Sequence, residues 1–163
     1  MFGWQKLAHQ EDRAALGGFI GQLPPNKMKR AMIELSGKTH TRKNPKTGEQ
    51  EYLLHRGVSR KEREGAFDEN TGHTVHGAHT SWTPDTEVAR EFATLRAKMH
   101  RPLVASAWIP ESAIATIPKH HGNMDLKGQG KNNWANEHEV IVRPGKYELE
   151  TNKNIKQNIG YVS

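Results

Sequence analysis

Glu137 and Glu139 stand one residue apart in the stretch Trp-Ala-Asn-Glu-His-Glu-Val-Ile-Val-Arg-Pro that runs from Trp134 to Pro144. They lead directly into an apolar, β-branched run, which reads as a strand. Side chains alternate faces along a strand, so Glu137, Glu139 and Ile141 share one face, while His138, Val140 and Val142 share the other. The second face is that of a core. The first begins with two carboxylates about 7 Å apart along the chain. Like charges that close repel, so packing alone is a poor reason to place them there. The plainer alternative is a strand edge with two solvated acids.

A cation and a hydroxyl pair offer partners for such carboxylates. Tyr52 to Val58 is a strand candidate with Arg56 inside the apolar run and Gly57 after it. A guanidinium there must reach an anion or snorkel to water, and its paired donors match phosphate or carboxylate. The glycine would let a ligand approach the backbone. An ordinary surface arginine at a strand end is the competing explanation. Thr80-Ser81-Trp82-Thr83-Pro84-Asp85 ends another strand and starts a helix, with Thr83 suited to cap, Pro84 to the first helical position and Asp85 to the positive dipole end. His73, His76 and His79 recur every third residue, and His120-His121 follow later. Residues three apart do not share a strand face, so this pattern is a poor metal site, and no metal is expected.

The elements that must position these groups follow from periodicity. Residues 4–20 read as a helix interrupted at Gly17-Gly18. Pro24-Pro25 open a second helix, carried by Met28, Met32, Ile33 and Leu35 and stopped at Gly37. Residues 39–50 read as a loop or hairpin. Val88, Phe92, Leu95 and Met99 form a helical stripe flanked by Ala89 and Ala93, expected to pack on a sheet. Leu103 to Ile109 alternates as a strand between Pro102 and Pro110, and brief strands are expected at 114–117 and within 155–162. Residues 119–136, polar and rich in glycine and asparagine, read as a long loop delivered to the two glutamates, with Trp134 as a ligand or partner contact. With helices leading the first half and strands the second, the expected class is α+β with a mainly antiparallel sheet.

Composition limits the possibilities further. The 163 residues suit a single domain, 1–163, with a helical part over 1–50 and a β core over 51–163. The formal charge of +6 can attract nucleic acid, acidic protein or an anionic small molecule. No basic run is long enough for a nucleic-acid tail, which makes nucleic acid a secondary partner. Cysteine is absent, which excludes disulfides, thiol catalysis and cysteine-based metal sites. No apolar run reaches a transmembrane length, and the first residues lack the basic region and apolar core of a signal peptide, so a cytoplasmic location without membrane partners is expected.

The arginine on a strand, the Ser/Thr strand ending in a capped helix, and Glu-x-Glu on a later strand occur in one order. Together they resemble the mono-ADP-ribosyltransferases of the arginine–serine–glutamate class, including small versions carried by phages and bacterial toxins. The matching stretches are Leu54-His55-Arg56-Gly57, Ser81-Trp82-Thr83 with Glu87-Val88-Ala89-Arg90-Glu91-Phe92-Ala93, and Glu137-His138-Glu139-Val140-Ile141-Val142. The resemblance spans roughly residues 50–150 and leaves the first fifty unexplained. It implies a split, twisted β core of two mainly antiparallel sheets, with NAD⁺ bound as substrate in the cleft between them. Arg56 would hold an NAD⁺ phosphate and the Gly57 backbone would meet the nicotinamide amide. Ser81 would steady Glu139, the catalytic glutamate that grips the nicotinamide ribose, and Thr83 would join Arg56, Gly57, Ser81 and Glu139 in binding NAD⁺. Glu137 would bind the acceptor, typically an arginine of a protein, and orient or deprotonate it, with Trp134 as a further acceptor contact.

The family's second motif is often Ser-Thr-Ser, and here Trp82 takes the middle place. Either Ser81 or Thr80 could therefore be the hydroxyl at Glu139. Two other functions remain open: an NAD⁺ glycohydrolase or transferase acting on nucleic acid, and a non-enzymatic basic module that binds nucleic acid or protein.

Overall fold

Proline at position 25 suits a first helical turn, where its missing N–H has no partner to lose. In the computed structural model a helix, α1, duly begins there and runs Pro25–Ser36, with Ala31, Met32 and Leu35 buried on one side. The structure describes residues 23–58, 66–68, 71–97, 103–117, 139–150 and 159–161. The expected helix at 4–20, the loop at 119–136, Glu137, Trp134 and His120-His121 lie outside the described residues.

After α1 the chain enters a hairpin of β1 (Thr41–Lys43) and β2 (Gln50–Val58), paired antiparallel. Its turn is specified locally. The Asn44 side-chain oxygen accepts from the Lys46 and Thr47 amides, and Gly48 takes φ 72°, which glycine adopts without a Cβ penalty. The strands β3 (Phe67–Asp68), β4 (His73–His76), β5 (Thr80–Trp82), β6 (Leu103–Pro110), β7 (Ile114–Thr116), β8 (Val140–Val142), β9 (Gly145–Leu149) and β10 (Ile159–Tyr161) follow, with helix α2 (Thr86–Ala97) between β5 and β6. The large sheet is ordered β1-β2-β6-β9-β4-β3, with β10 also pairing β6, and the small sheet is β5-β8-β7. Every described pairing is antiparallel. The class is therefore α+β, with two antiparallel sheets and, among the described residues, two helices. The large sheet begins at β1, inside the part expected to be helical.

Alternation along β2 divides the structure. Tyr52 and Leu54 face a core shared with Ile109, Ala107 and Leu149 of the large sheet, Trp82, Val140 and Val142 of the small sheet, and Met32 and Leu35 of α1. The small sheet and α1 thus cover one face of the large sheet. On the opposite face α2 lies against Gly57, where a built Cβ would stand 2.3 Å from the Ala93 amide nitrogen and 2.5 Å from the Ala89 carbonyl oxygen. On this side the close approach that the glycine permits is made by the helix backbone. Ala89 and Ala93, expected only to flank the stripe, are fully buried because they make that contact. Among the described residues no helix is long and apolar enough to cross a membrane.

Candidate active site

The two sheets meet where β1 ends and leaves the edge of β2 open. There His55 and Thr83 form an antiparallel bridge, each amide donating to the other's carbonyl at 2.8 and 2.9 Å. This seam sets Arg56 on β2 beside Ser81 on β5. In the small sheet Ser81 lies opposite Ile141, and Trp82 lies opposite Val140. Glu139 precedes β8, two residues from Ile141, which brings it diagonally to Ser81.

The contacts follow from that register. Ser81 Oγ donates to Glu139 Oε2 at 2.6 Å, and Arg56 Nη1 donates to the Ser81 carbonyl at 2.9 Å. Ser81 therefore stands between cation and anion, offering its carbonyl to one and its hydroxyl to the other. Arg56 is only 1% exposed and Glu139 6%. Charges withdrawn from water to this degree require compensating partners, and Ser81 supplies one to each. They line one recess together with His55, Gly57, Thr83, Trp82 and the Val88–Phe92 turn of α2. The candidates Arg56, Gly57, Ser81, Thr83 and Glu139 are thus brought together, while Glu137 and Trp134 fall outside the described residues.

The geometry also distinguishes among the hydroxyls. Thr80 Oγ1 accepts from the Trp82 indole N–H at 2.8 Å, on the core side of β5. Trp82 is buried there, edge-on to His76 at 5.9 Å between ring centres. The hydroxyl at Glu139 is that of Ser81. Thr83 Oγ1 accepts from the Asp85 amide and shapes the turn into α2. The cap itself is Asp85, not Thr83: its Oδ1 accepts from the Glu87 and Val88 amides at 2.8 and 3.4 Å, and the helix starts at Thr86. The Thr83 backbone is held in the bridge to His55, which leaves capping to Asp85, two residues further on.

His55 is the recess residue that sequence reasoning passed over as a functional group. Its Nδ1 is 2.7 Å from Ser106 Oγ on the neighbouring strand. Burial lowers its pKa to about 4, outweighing the opposing pull of the Asp85 charge, and His40 adds a smaller lowering. The imidazole is neutral at pH 7, so Arg56 is not joined by a second cation there. Its position before Arg56, on the alternate face of β2, was the available signal.

His76 is packed between Phe67 and Trp82, with its Nε2 at 2.7 Å from Thr74 Oγ1, and His79 is exposed. Among the described residues no three His, Asp or Glu side chains are grouped to hold a metal ion. Comparison of the chain with protein-family models, curated proteins and solved structures finds no match.

Proposed function

We propose that the chain is a mono-ADP-ribosyltransferase that moves ADP-ribose from NAD⁺ to an acceptor protein, on arginine, with release of nicotinamide. The observation that carries this reading is the linkage of Arg56 to Ser81 and of Ser81 to Glu139 in one recess at the seam of two antiparallel sheets. The α+β architecture is compatible with the split β core of that family, and the donor set suits NAD⁺. A fixed, buried carboxylate can take a ribose hydroxyl, and the guanidinium favours a phosphate near the β2–β5 seam.

The chemistry asks for these groups. The bond to be broken joins the ribose anomeric carbon to a pyridinium nitrogen. Its electron pair leaves with nicotinamide, which departs neutral, so no general acid is needed. Positive charge develops on the ribose as an oxocarbenium ion. Glu139, held by Ser81, supplies a preorganised negative charge where that cation forms. The logic is that of glycosidase carboxylates with the proton donor omitted. Glu137 is assigned to the acceptor, where a carboxylate attracts a guanidinium and accepts its proton as the new C–N bond forms.

The test is incubation of the purified protein with NAD⁺ labelled in the adenosine part and a cell lysate. Labelled protein is expected with the wild type and not with Glu139→Gln, and mass spectrometry should find the label on arginine. Nicotinamide release without labelled protein would redirect the reading to a glycohydrolase, and label on nucleic acid to a different acceptor. No NAD⁺ turnover at all would remove it.

A further inference from the structure

The chain's net charge is concentrated in one segment. Residues 25–48 contain Lys27, Lys29, Arg30, Lys38, Arg42, Lys43 and Lys46 against a single acid, Glu34, so this segment alone carries the +6 of the whole chain and the rest is neutral. The segment forms α1, the connection from Gly37 to His40, β1 and the hairpin turn. Within it β1 is the terminal strand of the large sheet, the His40 carbonyl accepts from the Leu53 amide on β2, and α1 precedes the hairpin by the short connection through Gly37.

Two of the seven cations are committed within the fold. Arg42 donates to Glu51 and Glu148 and lies 4.5 Å from the centre of the Trp108 ring, and Lys38 pairs with Glu34 at 2.8 Å. The other five, Lys27, Lys29, Arg30, Lys43 and Lys46, are exposed, and none has a carboxylate within ion-pair distance among the described residues. Solubility does not require such a concentration of charge in one segment, since interspersed charges would serve it as well.

We infer that α1 and the β1–β2 hairpin form a surface for the phosphate backbone of nucleic acid, bound without regard to sequence. The apolar content of the surface decides between nucleic acid and an acidic protein. A protein interface is centred on buried aromatic or aliphatic anchors within a polar rim. Here Ile33 is the one exposed large apolar side chain in the segment, and the other such residue among those described, Val75, lies on β4. A field of cations without an apolar centre matches a polyphosphate, whose affinity comes from displaced counterions. The surface does not depend on the reading of Glu139. On that reading it would hold the enzyme near nucleic-acid-bound acceptors.

The test is fluorescence anisotropy of the full chain with labelled random-sequence duplex DNA and single-stranded RNA over a range of KCl concentrations. Contact by all five cations gives a slope of log affinity against log salt of about −4.5 for duplex and about −3.5 for a single strand. The variant K27A/K29A/R30A should bind at least about tenfold more weakly near 0.1 M salt, with the duplex slope reduced in magnitude by about 2.7. K43A/K46A should lose a smaller share, and Arg90→Ala on α2 should bind as the wild type does. Circular dichroism confirms that each variant is folded. Glu139→Gln, which the enzymatic reading makes inactive, should bind nucleic acid normally. Failure to bind either nucleic acid at low salt, or equal binding by all variants, would overturn the inference. So would capture of poly-glutamate in preference to both nucleic acids, which would assign the surface to an acidic protein.

Discussion

Ser81 shows how one small side chain can organise two charges. Its carbonyl is oriented by strand pairing toward Arg56, and its hydroxyl reaches Glu139 on the diagonal of the β5–β8 pair. Hydrogen bonds to an ionised group are stronger than neutral ones, and this one also fixes a rotamer of the carboxylate. Ser81→Ala should therefore lower the rate of ADP-ribose transfer by roughly tenfold to a hundredfold, the equivalent of about 1.5–3 kcal/mol, and Ser81→Thr should recover part of it. Glu139→Gln keeps shape and burial but removes the charge that meets the oxocarbenium ion. Its rate should fall by at least about a hundredfold with NAD⁺ affinity little changed. Labelled-transfer rates beside NAD⁺ binding by calorimetry separate the two effects. Loss of binding in step with loss of rate would give Glu139 a role in holding substrate alone.

At the scale of elements, the junction of α2 with β2 forms one wall of the recess. Gly57 permits backbone-to-backbone contact, and a methyl group there would stand 2.3 Å from the Ala93 nitrogen and 2.8 Å from the Phe92 carbonyl carbon. Backbone cannot yield as a flexible side chain does, so Gly57→Ala should displace α2 and destabilise the fold by about 1–3 kcal/mol, measured by urea denaturation. Asp85→Ala removes the α2 cap and should cost about 1 kcal/mol. An unchanged midpoint for Gly57→Ala would mean that the helix is free to move away from β2. Local signals made much of this framework legible. Pro25 and Gly37 bound α1, alternation marks β6, and β-branched residues mark β8. The joints were less legible, because they depend on pairs distant in sequence. The His55–Thr83 bridge is made between residues 28 positions apart, and it is this bridge that moves the helix cap from Thr83 to Asp85. The short strands β1 and β3 have too few residues to show a period. The diagonal from Ser81 to Glu139 was expected only through family resemblance, since neither residue's own neighbours in sequence specify the other.

For the molecule as a whole, His55 couples the seam between the sheets to pH. Its backbone joins the sheets, its ring bonds Ser106, and burial holds its pKa near 4 against 6.5 for an ordinary histidine. The folded state therefore keeps the ring neutral down to about pH 4, whereas the unfolded chain takes up a proton below about pH 6.5. Between those values the unfolded state binds more protons, so acidification favours unfolding. The stability present above pH 6.5 declines as pH falls toward 4, and a full displacement of this size corresponds to about 3 kcal/mol. Other groups titrate in the same range, so the measurement must be differential. Urea denaturation at about pH 7.5 and about pH 5 should show the wild type losing roughly 2 kcal/mol more than His55→Gln over the same interval. His55→Gln retains a polar group that can reach Ser106, so it should be folded at neutral pH, with the site intact. Parallel losses in the two proteins would mean that the ring at the seam is protonated as easily in the folded chain as in the unfolded one. The joint between the sheets would then be open to water, and the low-dielectric surroundings that strengthen the Ser81–Glu139 bond would be absent as well.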